Sequence, residues 1–192
     1  MKIVGITGQS GTGKTTIAKM LQEKWDAEIV DADKIAKDLT KKGSIYLKSI
    51  VKEFGTEVLM QNGRLNRKRL ANIVFQDEEK RKQLNQLTFF YVVKEIKERI
   101  GKVQHKHVIL IDAPLLYESD LNQICDCVIG VIASTSSKIE RICKRNGISQ
   151  EEAKKRLKVQ ITDTFLKENA DILIRNTKEK EELRKQIEKI KI

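Results

Sequence analysis

The sequence predicts an α/β protein, three layers (α/β/α) built on a five-stranded parallel sheet, and three observations predict it. Short runs rich in Val and Ile alternate with segments of helical periodicity, the pattern of strands covered on both faces by crossover helices. The first such run leads straight into Gly8-Gln9-Ser10-Gly11-Thr12-Gly13-Lys14-Thr15, which fits G-x-x-x-x-G-K-[ST] at every fixed position. Between Lys41 and Gln104 the alternation stops and only helical periodicity remains, so an inserted helical subdomain interrupts the sheet.

Lys2–Ile6 is the first predicted strand, and Lys14–Trp25 the helix after it, with Ile17, Ala18, Leu21 and Trp25 at helical spacing. A glycine-rich loop between a strand and a helix is a phosphate cradle. Its glycines let the backbone curl so that N–H groups point at phosphate oxygens, and the helix N-terminus adds a favourable dipole. Lys14 is expected to reach the β- and γ-phosphates and the Thr15 hydroxyl to ligate Mg²⁺. Gly8, Gly11, Thr12, Gly13 and Thr16 complete the expected nucleotide contacts. The fold is therefore that of a P-loop NTPase, with a nucleoside triphosphate and Mg²⁺ as the expected ligands.

The second strand, Glu28–Asp31, precedes a helix over Asp33–Thr40. Inside the insert, helices are expected at Ser44–Phe54, Asn66–Phe75 and Glu78–Ile100, with turns at Gly55 and Asn62-Gly63. Strands return at His107–Asp112, Cys127–Ile132 and Asp171–Ile174. A helix over Thr135–Asn146 stops at Gly147. Ser149 and Glu152 form a capping box that starts another, running to about residue 166 on periodicity. A last helix covers Lys178–Lys191. The chain reads as one domain: a nucleotide-binding core (1–40, 105–137, 168–192), an acceptor-binding insert (41–104) and a helical lid (138–167).

Composition narrows the functional classes. The 192 residues are 40% hydrophobic and 34% charged, which suits a soluble globular domain, and no apolar run is long enough to span a bilayer. The chain enters a strand at once, so no signal peptide is expected. Cys125, Cys127 and Cys143 make neither a disulfide framework nor a zinc site and are expected as reduced thiols of a cytoplasmic protein. The net charge of +11 is spread between acids, as in Lys94-Glu95-Ile96-Lys97-Glu98-Arg99, and aromatic residues are only 5%. That pattern argues for no nucleic-acid partner and no membrane, and a monomer acting on a small polyanionic substrate is expected.

Ligands of open α/β sheets bind at the carboxyl ends of the strands. Two strands deliver carboxylates there, in Val30-Asp31-Ala32-Asp33 and Ile111-Asp112-Ala113-Pro114. Phosphoryl transfer to a hydroxyl needs a group that orients the acceptor and takes its proton, and acids that position Mg²⁺. Asp33, just beyond the strand, is assigned the base, although it also suits a helix N-cap; Asp112 is assigned to the metal or its water. Arg141 and Arg145 share a helix face in the lid, with Arg156 in the next helix. Arg141, placed shortly after a strand, is expected to neutralise the transferring charge. His105 and His107 have no nucleophile or metal partner and read as surface residues.

The order of these motifs resembles the dephospho-CoA kinase family over nearly the whole chain. The matching stretches are Ile6-Thr7-Gly8, Val30-Asp31-Ala32-Asp33-Lys34-Ile35-Ala36, and Phe54-Gly55 with Asn62-Gly63-Arg64-Leu65-Asn66-Arg67. They continue with Leu70, Val74-Phe75, Asp112-Ala113-Pro114-Leu115-Leu116-Tyr117-Glu118, Arg141-x-x-x-Arg145-Asn146-Gly147, Gln160, Lys167, Ala170-Asp171 and Asn176. The resemblance implies ATP-dependent phosphorylation of the ribose 3′-hydroxyl of dephospho-CoA, the last step of coenzyme A synthesis. It implies that Asp33 activates that hydroxyl, that the insert holds the acceptor, and that Arg141 clamps phosphates. It also implies that Asn176 lies near the adenine of ATP and that Phe75, Leu115 and Leu116 line the acceptor channel. This chain departs from the family pattern in three places: Thr88-Phe89 where His-Pro is usual, no proline after Gln160, and Asn62 where an aspartate is commoner. One alternative stays open, a nucleoside monophosphate kinase whose acceptor phosphate would use Arg64, Arg67 and Arg69. A GTPase-type switch is excluded for want of an Asn-Lys-x-Asp run.

Overall fold

All five positions of β3 (Val108–Asp112) are buried, because the strand lies inside a sheet covered on both faces. It pairs in parallel with β1 (Lys2–Thr7) on one side and β2 (Glu28–Asp31) on the other; β4 (Cys127–Ile132) joins β1, and β5 (Ile172–Arg175) joins β4. The resulting order is β2-β3-β1-β4-β5, every pair parallel. The computed structural model describes residues 1–192 apart from Lys178.

Period-two alternation places Val4 and Ile6 of β1, Leu110 of β3, and Ile129 and Val131 of β4 in one cluster. Helix α1 (Lys14–Trp25) meets it with Ile17, Ala18 and Leu21, and α9 (Lys180–Lys189) with Leu183 and Ile187. Several of these side chains have no exposed surface, and each such Ile or Leu contributes about 1.5–3 kcal/mol of burial. Lys24 at the end of α1 donates to the carbonyls of Ile187, Glu188 and Ile190 at 2.7–2.8 Å, placing a cation on the C-terminal dipole of α9. Trp25 packs against the same cluster, as a core residue would.

The chain forms two compact units, Met1–Asp31 with Val103–Ile192, and Ala32–Lys102. The sequence reading draws the boundary at 40/41 and 104/105. By contacts α2 (Ala32–Leu39) groups with the helices that follow, since it packs on α5 (Glu78–Lys102) and α3 (Ile45–Phe54). The second unit has its own core, in which Tyr46, Leu47, Ile50 and Phe54 of α3 meet Leu70 and Val74 of α4 (Arg67–Phe75). Ser44 caps α3 and Asn66 caps α4, accepting from the backbone N–H three residues on in each case.

Between β4 and β5 lie α6 (Thr135–Asn146), α7 (Gln150–Lys158) and α8 (Asp163–Asn169). The capping box at Ser149 and Glu152 is present as expected. The continuous helix expected from there to about residue 166 is instead two helices. Thr162 accepts from Phe165 N–H at 3.1 Å and starts α8 afresh, so a local cap overrides the running periodicity. Lys178, the expected first residue of the last helix, lies outside the described residues; α9 begins at Lys180.

Candidate functional site

The phosphate loop leaves β1 at Thr7 and enters α1 at Lys14, and three side chains from distant parts of the chain converge on it. Gly13, at the N-cap, has φ 86°, and no side chain caps α1, which leaves the helix N-terminus for an anion. Arg141 of α6 donates to the Gly11 carbonyl at 3.0 Å, and Asn176 donates to the Thr12 carbonyl at 2.6 Å. Lys14 pairs with Asp112 at the end of β3, both largely buried. Thr12 is buried, its hydroxyl donating to the Gln9 carbonyl at 2.8 Å, while Thr15 and Thr16 are exposed at the start of α1. Gly8, Gly11, Gly13, Lys14, Asp112, Arg141 and Asn176 are therefore gathered at the carboxyl ends of the strands. Beside them a cavity of about 480 Å³ opens between the β4–α6 turn and the end of β5, lined by Ile132, Ser134, Lys167, Arg175, Asn176 and Thr177 among others.

The sequence reading did not include what ties this loop to α6, α7 and the start of α8. Lys138 of α6, only 3% exposed, donates to the Gln9 side chain at 2.5 Å and to both carboxylate oxygens of Asp163 at 3.0 and 2.9 Å. Gln9 in turn donates to the Leu157 carbonyl at the end of α7. Gln160, in the break between α7 and α8, accepts from Ser10 N–H at 2.8 Å and donates to the Ser10 hydroxyl at 3.1 Å. A Cβ on Gly11 would lie 2.9 Å from the Cα of Lys138, so α6 runs directly against the loop backbone. Lys138→Met removes a buried cation from two acceptors, while Asp163 keeps partial access to water. The expected loss is about 2–3 kcal/mol, read as a fall of several degrees in Tm together with a raised KM for ATP. An unchanged Tm and KM would show that the pair is dispensable.

Arg145 and Arg156, grouped with Arg141 at the sequence level, do not join the loop: Arg145 bonds the side chain of its neighbour Asn146 and Arg156 is exposed. His105 and His107 are exposed. The three cysteines are free thiols, and Cys125 donates to the Leu121 carbonyl. Burial, helped by the neighbouring Asp126, pushes the Cys125 thiol up to about 12. At pH 8 it stays protonated, so alkylation by iodoacetamide is expected to be much slower in the native protein than in denaturant. Equal rates in the two states would contradict that environment.

The residues expected on the acceptor side differ in placement. Asp33 is exposed in the first turn of α2, and Phe75 is 82% exposed at the end of α4. Leu115 is 41% exposed, but Leu116, expected beside it along the acceptor channel, has no exposed surface. Its methyl groups pack so closely over Gly5 that a Cβ there would collide with them. Leu116 thus packs as a core residue, filling the space a glycine in β1 leaves. Among the described residues no group of three or more His, Cys, Asp or Glu side chains could hold a metal by itself.

The sequence model of one family, described as dephospho-CoA kinase (CoaE), matches residues 2–182. The chain belongs to the dephospho-CoA kinase family. A curated dephospho-CoA kinase of Fusobacterium nucleatum is 38% identical over 187 residues, covering 97% of this chain and 95% of the relative. Among solved structures, a dephospho-CoA kinase from Campylobacter jejuni matches at 29% identity with a TM-score of 0.67, over 98% of this chain and 95% of that one. A shikimate kinase from Acinetobacter baumannii, at 15% identity and a TM-score of 0.57 over 98% and 90% of the two chains, shares the fold alone. The chain is thus a kinase with the three-layer fold expected, and the family matched is not that of the nucleoside monophosphate kinases.

The three departures from the dephospho-CoA kinase pattern each have a local structural account. Thr88 sits inside α5, donates to the Leu84 carbonyl at 2.6 Å and pairs with the buried Tyr46 hydroxyl at 2.7 Å. With no proline at position 89, α5 runs unbroken for 25 residues. After Gln160, Thr162 supplies the cap of α8. Asn62 accepts from Arg64 N–H at 3.0 Å, a turn bond that an aspartate would make equally well.

Proposed function

We propose that this chain transfers the γ-phosphoryl group of ATP to the ribose 3′-hydroxyl of dephospho-CoA, giving coenzyme A and ADP. The observation that carries this is the family match over residues 2–182, with every fixed position of the phosphate loop present and Lys14, Asp112, Arg141 and Asn176 gathered on that loop. ATP lays its phosphates on Gly8–Thr16, and its adenine occupies the cavity beside Asn176. The acceptor 3′-oxygen forms a bond to the γ-phosphorus as the bond from that phosphorus to the β,γ-bridging oxygen breaks. The hydroxyl proton passes to the Asp33 carboxylate, and ADP departs. Lys14 and Arg141 stabilise the charge spreading over the equatorial oxygens, and the lid excludes water.

Mg²⁺ fits the donors present, the exposed Thr15 hydroxyl and the Asp112 carboxylate, because this ion is usually held by one or two protein oxygens together with substrate phosphates and water. When bound it neutralises phosphate charge. Among the described residues no helix is long and apolar enough to cross a membrane.

The test is ADP release from Mg·ATP with dephospho-CoA, beside AMP, CMP, adenosine and no acceptor. Turnover confined to dephospho-CoA is expected. Turnover only with a nucleoside monophosphate would overturn the reading.

A further inference from the structure

A lysine as deeply buried as Lys138 has given up water, and an ammonium does so only for a full set of protein partners. Its three N–H groups meet the Gln9 amide oxygen at 2.5 Å and the two Asp163 carboxylate oxygens at 3.0 and 2.9 Å. Asp163 cancels the charge, and no donor is left over for a phosphate. Lys138 is therefore not a ligand for the nucleotide, although its helix lies directly on the phosphate loop. Its chemistry is that of an anchor.

Both of its partners are themselves fixed. The buried Gln9 side chain donates to the Leu157 carbonyl at 3.2 Å, and the Gln9 carbonyl accepts from the N–H and the hydroxyl of Thr12 at 3.2 and 2.8 Å. Asp163 is the first residue of α8, directly behind the Thr162 cap. The Lys138 backbone takes part as well, since a Cβ on Gly11 would lie 2.5 Å from its carbonyl oxygen. One turn further along α6, and so on the same face, Arg141 donates to the Gly11 carbonyl at 3.0 Å. Helix α6 thus meets the loop at two points a single turn apart, a buried and neutralised one at Lys138 and a half-buried charged one at Arg141.

We propose that Lys138 is a positioning residue for Arg141: its bonds to Gln9 and Asp163 set how α6 is turned over the phosphate loop, and with it where the Arg141 guanidinium stands on the transferring phosphoryl group. The assignment rests on the reading of the chain as a dephospho-CoA kinase in which Arg141 stabilises that group. A side-chain group stands about 6 Å from a helix axis, so a turn of roughly 10° carries it about 1 Å. A misplacement of about 1 Å can cost about 10²-fold in rate. Neutralised by Asp163, Lys138 acts by geometry and not by its field. Methionine at this position fills a similar volume but has no N–H to hold the loop and α8 to α6.

The experiment is a double-variant cycle of Lys138→Met with Arg141→Ala and a second of Asp163→Asn with Arg141→Ala. Lys144→Ala, which removes an exposed cation from the same helix, is the control. Two quantities are measured at a temperature where melting curves show each variant folded: kcat with dephospho-CoA, and affinity for a non-hydrolysable Mg·ATP analogue relative to Mg·ADP. Lys138→Met is expected to lower kcat about 10- to 10²-fold, and Asp163→Asn to lower it in the same direction. In the Arg141→Ala background both changes shift kcat by less than about threefold, because the arginine whose place they set is gone. A general defect of the segment between β4 and β5 would instead multiply with the loss of Arg141. The affinity ratio, which reads the γ-phosphate alone, follows the same pattern, and Lys144→Ala changes nothing. Wild-type kcat in Lys138→Met, or equal fold-losses with and without Arg141, overturns the positioning role and leaves the function standing. Should Lys138→Met not fold, the Asp163→Asn cycle decides on the same criteria. Wild type inactive on dephospho-CoA overturns the function. The affinity ratio then decides by itself, no loss or equal losses in both backgrounds being the results that reject positioning.

Discussion

Asp33→Asn is expected to lower kcat about 10²- to 10⁴-fold while ATP affinity stays near wild type. The substitution keeps the shape of the side chain and one hydrogen-bonding oxygen, but the group no longer accepts the proton of the acceptor hydroxyl. Asp33 is exposed in the first turn of α2 and contributes nothing to either hydrophobic core, so the variant should fold with an unchanged Tm. Steady-state turnover with dephospho-CoA and a direct ATP titration separate the two effects. Near-wild-type turnover would remove Asp33 from the chemistry and leave it as a residue of the helix start.

Lys14→Met should act differently, losing ATP affinity and turnover together. In the structure Lys14 is paired with Asp112, and both side chains are largely buried. Under the proposed function, phosphate oxygens of ATP would replace the carboxylate as its partner, and the ammonium would follow charge that grows in the transition state. Removing a preorganised donor of this kind costs roughly 10²- to 10³-fold in kcat, on top of the weakened binding. Isothermal titration of Mg·ATP and single-turnover kinetics are the readouts, and a variant that retains both affinity and rate would argue that the loop does not hold the triphosphate.

Much of this was legible in the sequence for physical reasons. The sheet announces itself because strands buried on both faces must be largely apolar, as in the run Val108-Ile109-Leu110-Ile111 ahead of Asp112, and the phosphate loop because few residue types fit its turns. What stayed hidden depends on contacts between residues far apart in the chain. Lys138 reads as one more lysine on a helix, and only the fold brings it to Gln9 and Asp163, 129 and 25 residues away. Leu115 and Leu116 are identical in type, and which of them turns inward depends on the space that Gly5 leaves on the neighbouring strand. The break before α8 is hidden because the apolar spacing continues across it, while α7 ends at Lys158 and the Thr162 hydroxyl caps a new helix.

Two of the four loop positions that the phosphate-binding pattern leaves unspecified are bonded through their side chains to the segment between β4 and β5: Gln9 to Lys138 and the end of α7, Ser10 to Gln160. This eight-residue loop is therefore not a portable part. Transplanted into a related kinase it would leave Gln9 and Ser10 without their partners, and a working chimera would have to carry α6, the end of α7 and the start of α8 along with it.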